Sequence, residues 1–131
     1  MQEQDAPFHA HIYYQAESRN VAAALHARFS SAVEQGEFCG LTFVGQMRDH
    51  AVGPHPVPQF ELHFCRSTLS QIMPVLASAG LTVLVHPLTL DDLADHTTLG
   101  QWIGEPIPLD LTVLDQPGMN KGMARFGRSD F

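Results

Sequence analysis

PFHAHIYY, residues 7–14, alternates with a period of two: Phe8, Ala10, Ile12 and Tyr14 fall on one side, His9, His11 and Tyr13 on the other. This is the pattern of a half-buried strand, and it sets two imidazoles on the side opposite the apolar one. Outward from it, Ser18 is a candidate N-cap for a helix over RNVAAALHARFSSAVEQG, in which Val21, Leu25, Phe29 and Val33 recur at helical spacing and Gly36 ends the run. FCGLTFVG (38–45) reads as a second strand. QMRDHAVGPHPVP (46–58), with one Gly and three Pro, reads as a loop. QFELHFC (59–65) alternates again, with Phe60, Leu62 and Phe64 on one side and Gln59, Glu61, His63 and Cys65 on the other. Ser67 or Thr68 opens a second helix through LSQIMPVLASAG, where Pro74 is tolerable near the start or at a kink and Gly80 closes the run. LTVLVHP (81–87) is a fourth strand.

The order βαββαβ predicts an α+β, ferredoxin-like plait: a four-stranded antiparallel sheet in the order 4-1-3-2 with both helices on one face. Beyond it, LTLDDLADHTTLGQWIG predicts a helix in its first part, with Thr89 as N-cap and Asp91, Asp92 and Asp95 as an acidic first turn. IPLDLTVL (107–114) predicts an added strand. Residues 1–131 then form a single domain with a core over about 7–114. The tail, 115–131, is Gly-containing and polar, either weakly ordered or packed on a partner subunit.

Composition agrees with one domain: 131 residues, 44% hydrophobic and only 16% charged, are enough for a real core. A net charge of −7, a pI near 5.5 and no cluster of Lys or Arg argue against nucleic acid as a partner. Two cysteines outside any CxxC pair, Cys39 and Cys65, read as core or semi-core residues of a protein from a reducing compartment. MQEQDAPFHAH has no basic stretch leading into an apolar one, and no run of about 18 apolar residues occurs. The expectation is a soluble cytoplasmic protein without a membrane partner.

The informative excess is histidine, eight in all. In the plait the first strand lies between the third and fourth and runs antiparallel to both. His9 and His11, early in the first strand, therefore meet His63 and His86, late in the other two, at one end of the sheet. Parity puts these four on the open face, with Leu84 beside His86. Cross-strand neighbours about 4.5–5.5 Å apart are close enough to share an ion. Glu61, in the same row as His63, is a ligand, an orienter of a ligand, a base, or simply solvated. His96 can fold back over the same end. His55 reaches it only if the 46–58 loop crosses the open face. Trp102 is a core or pocket-wall aromatic, and His26 and His50 stand aside.

HAHIYY, GPHPVPQFELHF, LTVLVHPLT, DHTTLGQWIG and the following PLDL resemble, in order and spacing, the DOPA 4,5-dioxygenase family over residues 8–114. The resemblance implies a non-haem Fe(II) enzyme of ferredoxin-like fold that opens a catechol ring beside its hydroxyls, with a small catechol such as DOPA and dioxygen as substrates. Zinc or another divalent metal can replace iron in a purified sample. Histidines with a carboxylate suit such a centre, and an imidazole suits its proton transfers. In that frame His11, His63 and His86 are the leading ligands and Glu61 completes the set. His9 is a fourth ligand or base, and His55 and His96 orient substrate or move protons. Two other functions fit the same residues: a dimeric metal- or ligand-binding plait without turnover, and a zinc hydrolase. An open sheet face also predicts a homodimer, unless the chain's own C-terminal segment covers it.

Overall fold

The computed structural model describes residues 5–131, so the part of the N-terminal reading that falls on residues 1–4 lies outside the described residues. Among the described residues the α-helices and β-strands follow in the order β1 (Pro7–Tyr13), α1 (Arg19–Gln35), β2 (Leu41–Val44), β3 (Gln59–Cys65), α2 (Leu69–Ser78), β4 (Val83–Pro87), α3 (Asp92–Asp95), β5 (Gln101–Ile103) and α4 (Lys121–Arg125). The sheet order is β2-β3-β1-β4-β5, antiparallel throughout. Its first four strands are the plait expected from βαββαβ, with β1 at the centre. No helix among the described residues is long and apolar enough to cross a membrane.

The alternation in β1 and β3 divides the sheet as predicted. Ala10, Ile12, Phe60, Leu62, Phe64, Val83 and Val85 turn to the helices and join Ala22, Leu25, Phe29, Ile72 and Leu76 in one core. On α1 the buried stripe is Ala22, Leu25, Phe29 and Ala32; of the expected Val21-Leu25-Phe29-Val33, Leu25 and Phe29 belong to it, Val33 packs beside it, and Val21 is 44% exposed. Steps of four residues overshoot a turn by about 40° each, so a pure i+4 series drifts around the helix, whereas steps of three and four stay on one face. Ser18 ends a 3-10 turn before α1 and its side chain caps nothing on α1. Gly36 ends the helix in the left-handed region, at φ 65°.

Four local expectations are corrected. No strand forms over 107–114; the added strand is β5, paired with β4, and Leu111–Val113 is a 3-10 turn. Pro108 removes a backbone donor inside that stretch, and Pro106 removes another just before it. The cap of α3 is Asp91, whose side chain accepts from Ala94 N, while Thr89 donates instead to Asp95. Cys39 lies exposed in the turn before β2, where its carbonyl accepts from the Thr68 hydroxyl at 2.6 Å; Cys65 is half-buried, and both thiols are free. The tail packs on its own chain: Asp130 holds Arg48 at 2.8 Å, and the Phe126 ring stacks on His63 at 5.5 Å. With the 46–58 loop it covers the sheet face opposite the helices. The uncovered face that motivated a homodimer is thereby filled from within.

Candidate metal centre

Three strands supply the floor. His9 is the register partner of both His63 on β3 and His86 on β4, so three imidazoles form a row across the centre of the sheet. Two residues along β1, on the same face, His11 pairs with Glu61 and Leu84, and Tyr13 follows opposite Gln59. Two loops supply the walls. Val52 and His55 exchange backbone hydrogen bonds of 3.1 and 2.9 Å around Gly53 and Pro54, which turns the His55 ring onto His11 with 4.1 Å between centroids. The Tyr13 hydroxyl holds His55 Nδ1 at 2.7 Å. His96, at the end of α3, lies with its ring 4.2 Å from that of His86. All six imidazoles and Glu61 are buried. His26 sits apart, bonded to the Gly45 carbonyl at 2.8 Å, and His50 is exposed.

Hydrogen bonds decide which ring nitrogens are free. Gly127 N, a backbone donor, bonds His63 Nδ1 at 2.9 Å, so the His63 proton sits on Nε2 and is donated to Glu61 at 2.6 Å. His63, expected among the ligands, thus has both nitrogens engaged and acts on Glu61. His11 Nδ1 faces the Gln59 side-chain oxygen at 3.0 Å and a Glu61 oxygen at 3.7 Å; His86 Nδ1 faces the Pro87 carbonyl at 2.8 Å. With the protons assigned to the nitrogens that face oxygen, each Nε2 carries a lone pair. Those two Nε2 atoms stand 3.0 Å apart.

Two lone pairs at that separation repel unless a cation lies between them. Two nitrogens each about 2.1 Å from one ion, at an angle of about 90–109°, stand about 3.0–3.4 Å apart, so the spacing fits a shared ion. A third imidazole completes the group. His9 Nε2 is buried without a hydrogen-bond partner, and the ligand atoms of His9, His11 and His86 all lie within 4.8 Å of one another. A second group, His9, Glu61 and His63, meets the same limit and shares His9 with the first. Carbonyl partners on Nδ1 of the kind His11 and His86 have fix the ring tautomer that metal ligands need.

The electrostatics favour the ligand form. Burial above all, and then the neighbouring imidazoles, holds His9, His11, His55 and His86 well below the ordinary histidine value of 6.5. Uncharged imidazole is the form that binds metal. Burial, with Glu61 nearby, pushes the Tyr13 phenol far up, so it remains protonated.

Above the floor is a cavity of about 160 Å³, lined by His9, His11, His55, His86, Glu61 and His96 below and by parts of 113–131 above. Parity alone puts Gln59 and Tyr13 on this face, but only the structure shows that they orient His11 and His55. Nothing in the sequence marks Asn120, Arg125, Phe126 and Phe131, which the fold brings to the site. Their segment has no periodicity that would have marked it. What holds it is a set of buried aspartates: Asp92 accepts from Asp115 N at 2.9 Å, and Asp95 accepts from Thr89 and, at 3.1 Å, from Asn120. Trp102 stacks on Tyr13 with 5.9 Å between ring centroids, beside the site.

Fold and site together define an α+β plait whose central strands carry a buried imidazole and carboxylate cluster suited to a divalent ion. The chain belongs to the Dopa 4,5-dioxygenase family, whose sequence model matches residues 8–113. It is similar to DOPA 4,5-dioxygenase of Amanita muscaria, at 31% identity over 112 residues, 82% of this chain and 49% of that protein. An uncharacterized 21.2 kDa protein of Botryotinia fuckeliana is 33% identical over 117 residues, 82% of this chain and 62% of its own length. The chain therefore spans about half to three-fifths of these relatives. It also matches the crystal structure of a candidate dioxygenase from Nostoc punctiforme, with a TM-score of 0.72 at 30% identity, covering 86% of this chain and 94% of the other.

Proposed function

We propose that this chain is a non-haem iron(II) dioxygenase that opens the ring of a small catechol beside its hydroxyls. One observation carries the metal: the Nε2 lone pairs of His11 and His86 converge at 3.0 Å next to the unpartnered Nε2 of His9. These three imidazoles would hold the ion. Glu61, fixed by His63, stands beside His11 to complete the set or to balance its charge. Bound iron(II) with open positions supplies a Lewis acid and an electron source for dioxygen chemistry on a catechol.

The chain's own residues supply the remainder. His96 donates from Nδ1 to the Asp92 carbonyl at 2.8 Å, which leaves its Nε2 free on the cavity wall to accept a catechol proton. The Asp92 carboxylate, 3.4 Å from the same Nδ1, balances the charge that His96 gains. His55, clamped by Tyr13 and packed at a tilt against His11, forms the opposite wall and orients the ring. Parts of the covering segment 113–131 wall the cavity above the buried imidazoles.

The test is anaerobic loading of chelator-stripped protein with Fe(II), then a catechol panel and oxygen. A yellow ring-opened product formed with one dioxygen consumed per catechol is the expected result. Metal uptake without oxygen consumption across the panel, or ester hydrolysis by the zinc-loaded protein alone, would sink this reading.

A further inference from the structure

The cavity has a cation with no counter-ion. Arg19, Arg28 and Arg48 are each paired with a carboxylate, at 2.9, 2.7 and 2.8 Å. Arg125 lines the same cavity as His9 and His86, and its Nε is buried without a hydrogen-bond partner. Among the described residues no carboxylate lies within ion-pair distance of its guanidinium. The acids around the cavity are already occupied. Asp92 accepts from Asp115 N, Asp115 accepts from Lys121 N at 2.7 Å, and Glu61 serves His63.

Arg125 is also aimed by its helix. It lies three residues after Gly122 on α4, hence on the same face. A Cβ on Gly122 would stand 3.7 Å from His9 Cε1, so that face rests directly on the histidine floor. The end of α4 is pinned there, since Phe126 stacks on His63 and Gly127 N bonds the same ring. A half-buried guanidinium left unpaired is costly, and its planar fork matches a carboxylate in two parallel hydrogen bonds.

We infer that Arg125 receives a carboxylate carried by the substrate, so that the site selects catechol acids over uncharged catechols. This rests on the catechol reading above, and it makes Arg125 a specificity determinant at the roof of the site.

The test compares 3-(3,4-dihydroxyphenyl)propionate with its primary amide, which has the same shape without the charge. Anaerobic calorimetric titration of the iron-loaded protein should show the acid binding about tenfold or more tighter than the amide. Arg125→Gln should bring the two affinities to within about threefold, and Arg125→Lys should restore part of the difference. Equal affinities in the unaltered protein, or a ratio unchanged in Arg125→Gln, would overturn the inference; the first comparison needs no variant at all. Admitting oxygen afterwards separates the two proposals. Acid preference without oxygen uptake supports the Arg125 contact and refutes the dioxygenase, whereas acid and amide opened equally well refute the contact alone.

Discussion

Both ring nitrogens of His63 are engaged, whereas His11 and His86 each keep Nε2 free, although the three rings share one sheet face. Strand parity made the face and the level legible, because register depends only on which residues alternate. The direction of each lone pair depends on partners from elsewhere: Gln59, the Pro87 carbonyl and Gly127, the last from a stretch without periodicity. That is why the set of residues could be read from sequence and its division could not. The division is testable. His86→Ala or His11→Ala should abolish stoichiometric metal binding, as followed by equilibrium dialysis against buffered Fe(II) or Zn(II). His63→Gln should keep one ion per chain with affinity lower by about 10–100-fold, the usual effect of removing a group that orients a ligand. Full loss of the ion in His63→Gln, with His86→Ala unaffected, would reverse the assignment.

Elements were legible where their periodicity was long and uninterrupted. β3 occupies the predicted residues 59–65, and the plait order followed from six such segments. Short segments bounded by Pro or Gly were not legible. β5 is three residues long between Gly100 and Gly104, too short to show alternation, and the better-patterned 107–114 carries Pro108 inside it. On α1 the length and the Leu25-Phe29-Val33 part of the face were legible but its N-terminal end was not, because Val21 and Ala22 are adjacent and the larger residue attracts the assignment. Stability separates them. Phe29→Ala, at a fully buried site, should cost about 3–5 kcal/mol in chemical denaturation, whereas Val21→Ala should stay within about 0.5 kcal/mol. A cost above about 2 kcal/mol for Val21→Ala would place the predicted stripe back against the sheet.

At the scale of the whole molecule, the sheet is buried on both faces, by helices on one side and by the chain's own loops and tail on the other. This second layer takes the imidazoles out of water, and it ties stability to pH. His9, His11, His55 and His86 are all held well below 6.5 by burial and by one another, while in the unfolded chain each titrates near 6.5. Folding thus favours the uncharged rings. Their contribution to stability is complete above pH 6.5 and is lost as pH falls below 6.5 toward the depressed folded values, because the unfolded state then binds more protons. One such group gives a slope of at most about 1.4 kcal/mol per pH unit, so several acting together exceed it. Chelator-treated protein should therefore show a flat denaturation midpoint between pH 7 and 8 and a steep fall between about 6.5 and 5, above the range where carboxylates titrate. A saturating divalent ion should raise stability by a similar amount across that window, since the folded rings stay uncharged there and protons compete for their lone pairs only below the depressed folded values. A midpoint that stays level down to pH 5 in the metal-free protein would mean that the rings charge freely in the folded state. The covering segment would then not exclude water from them, and the site would lose the dry environment on which the proposed chemistry depends.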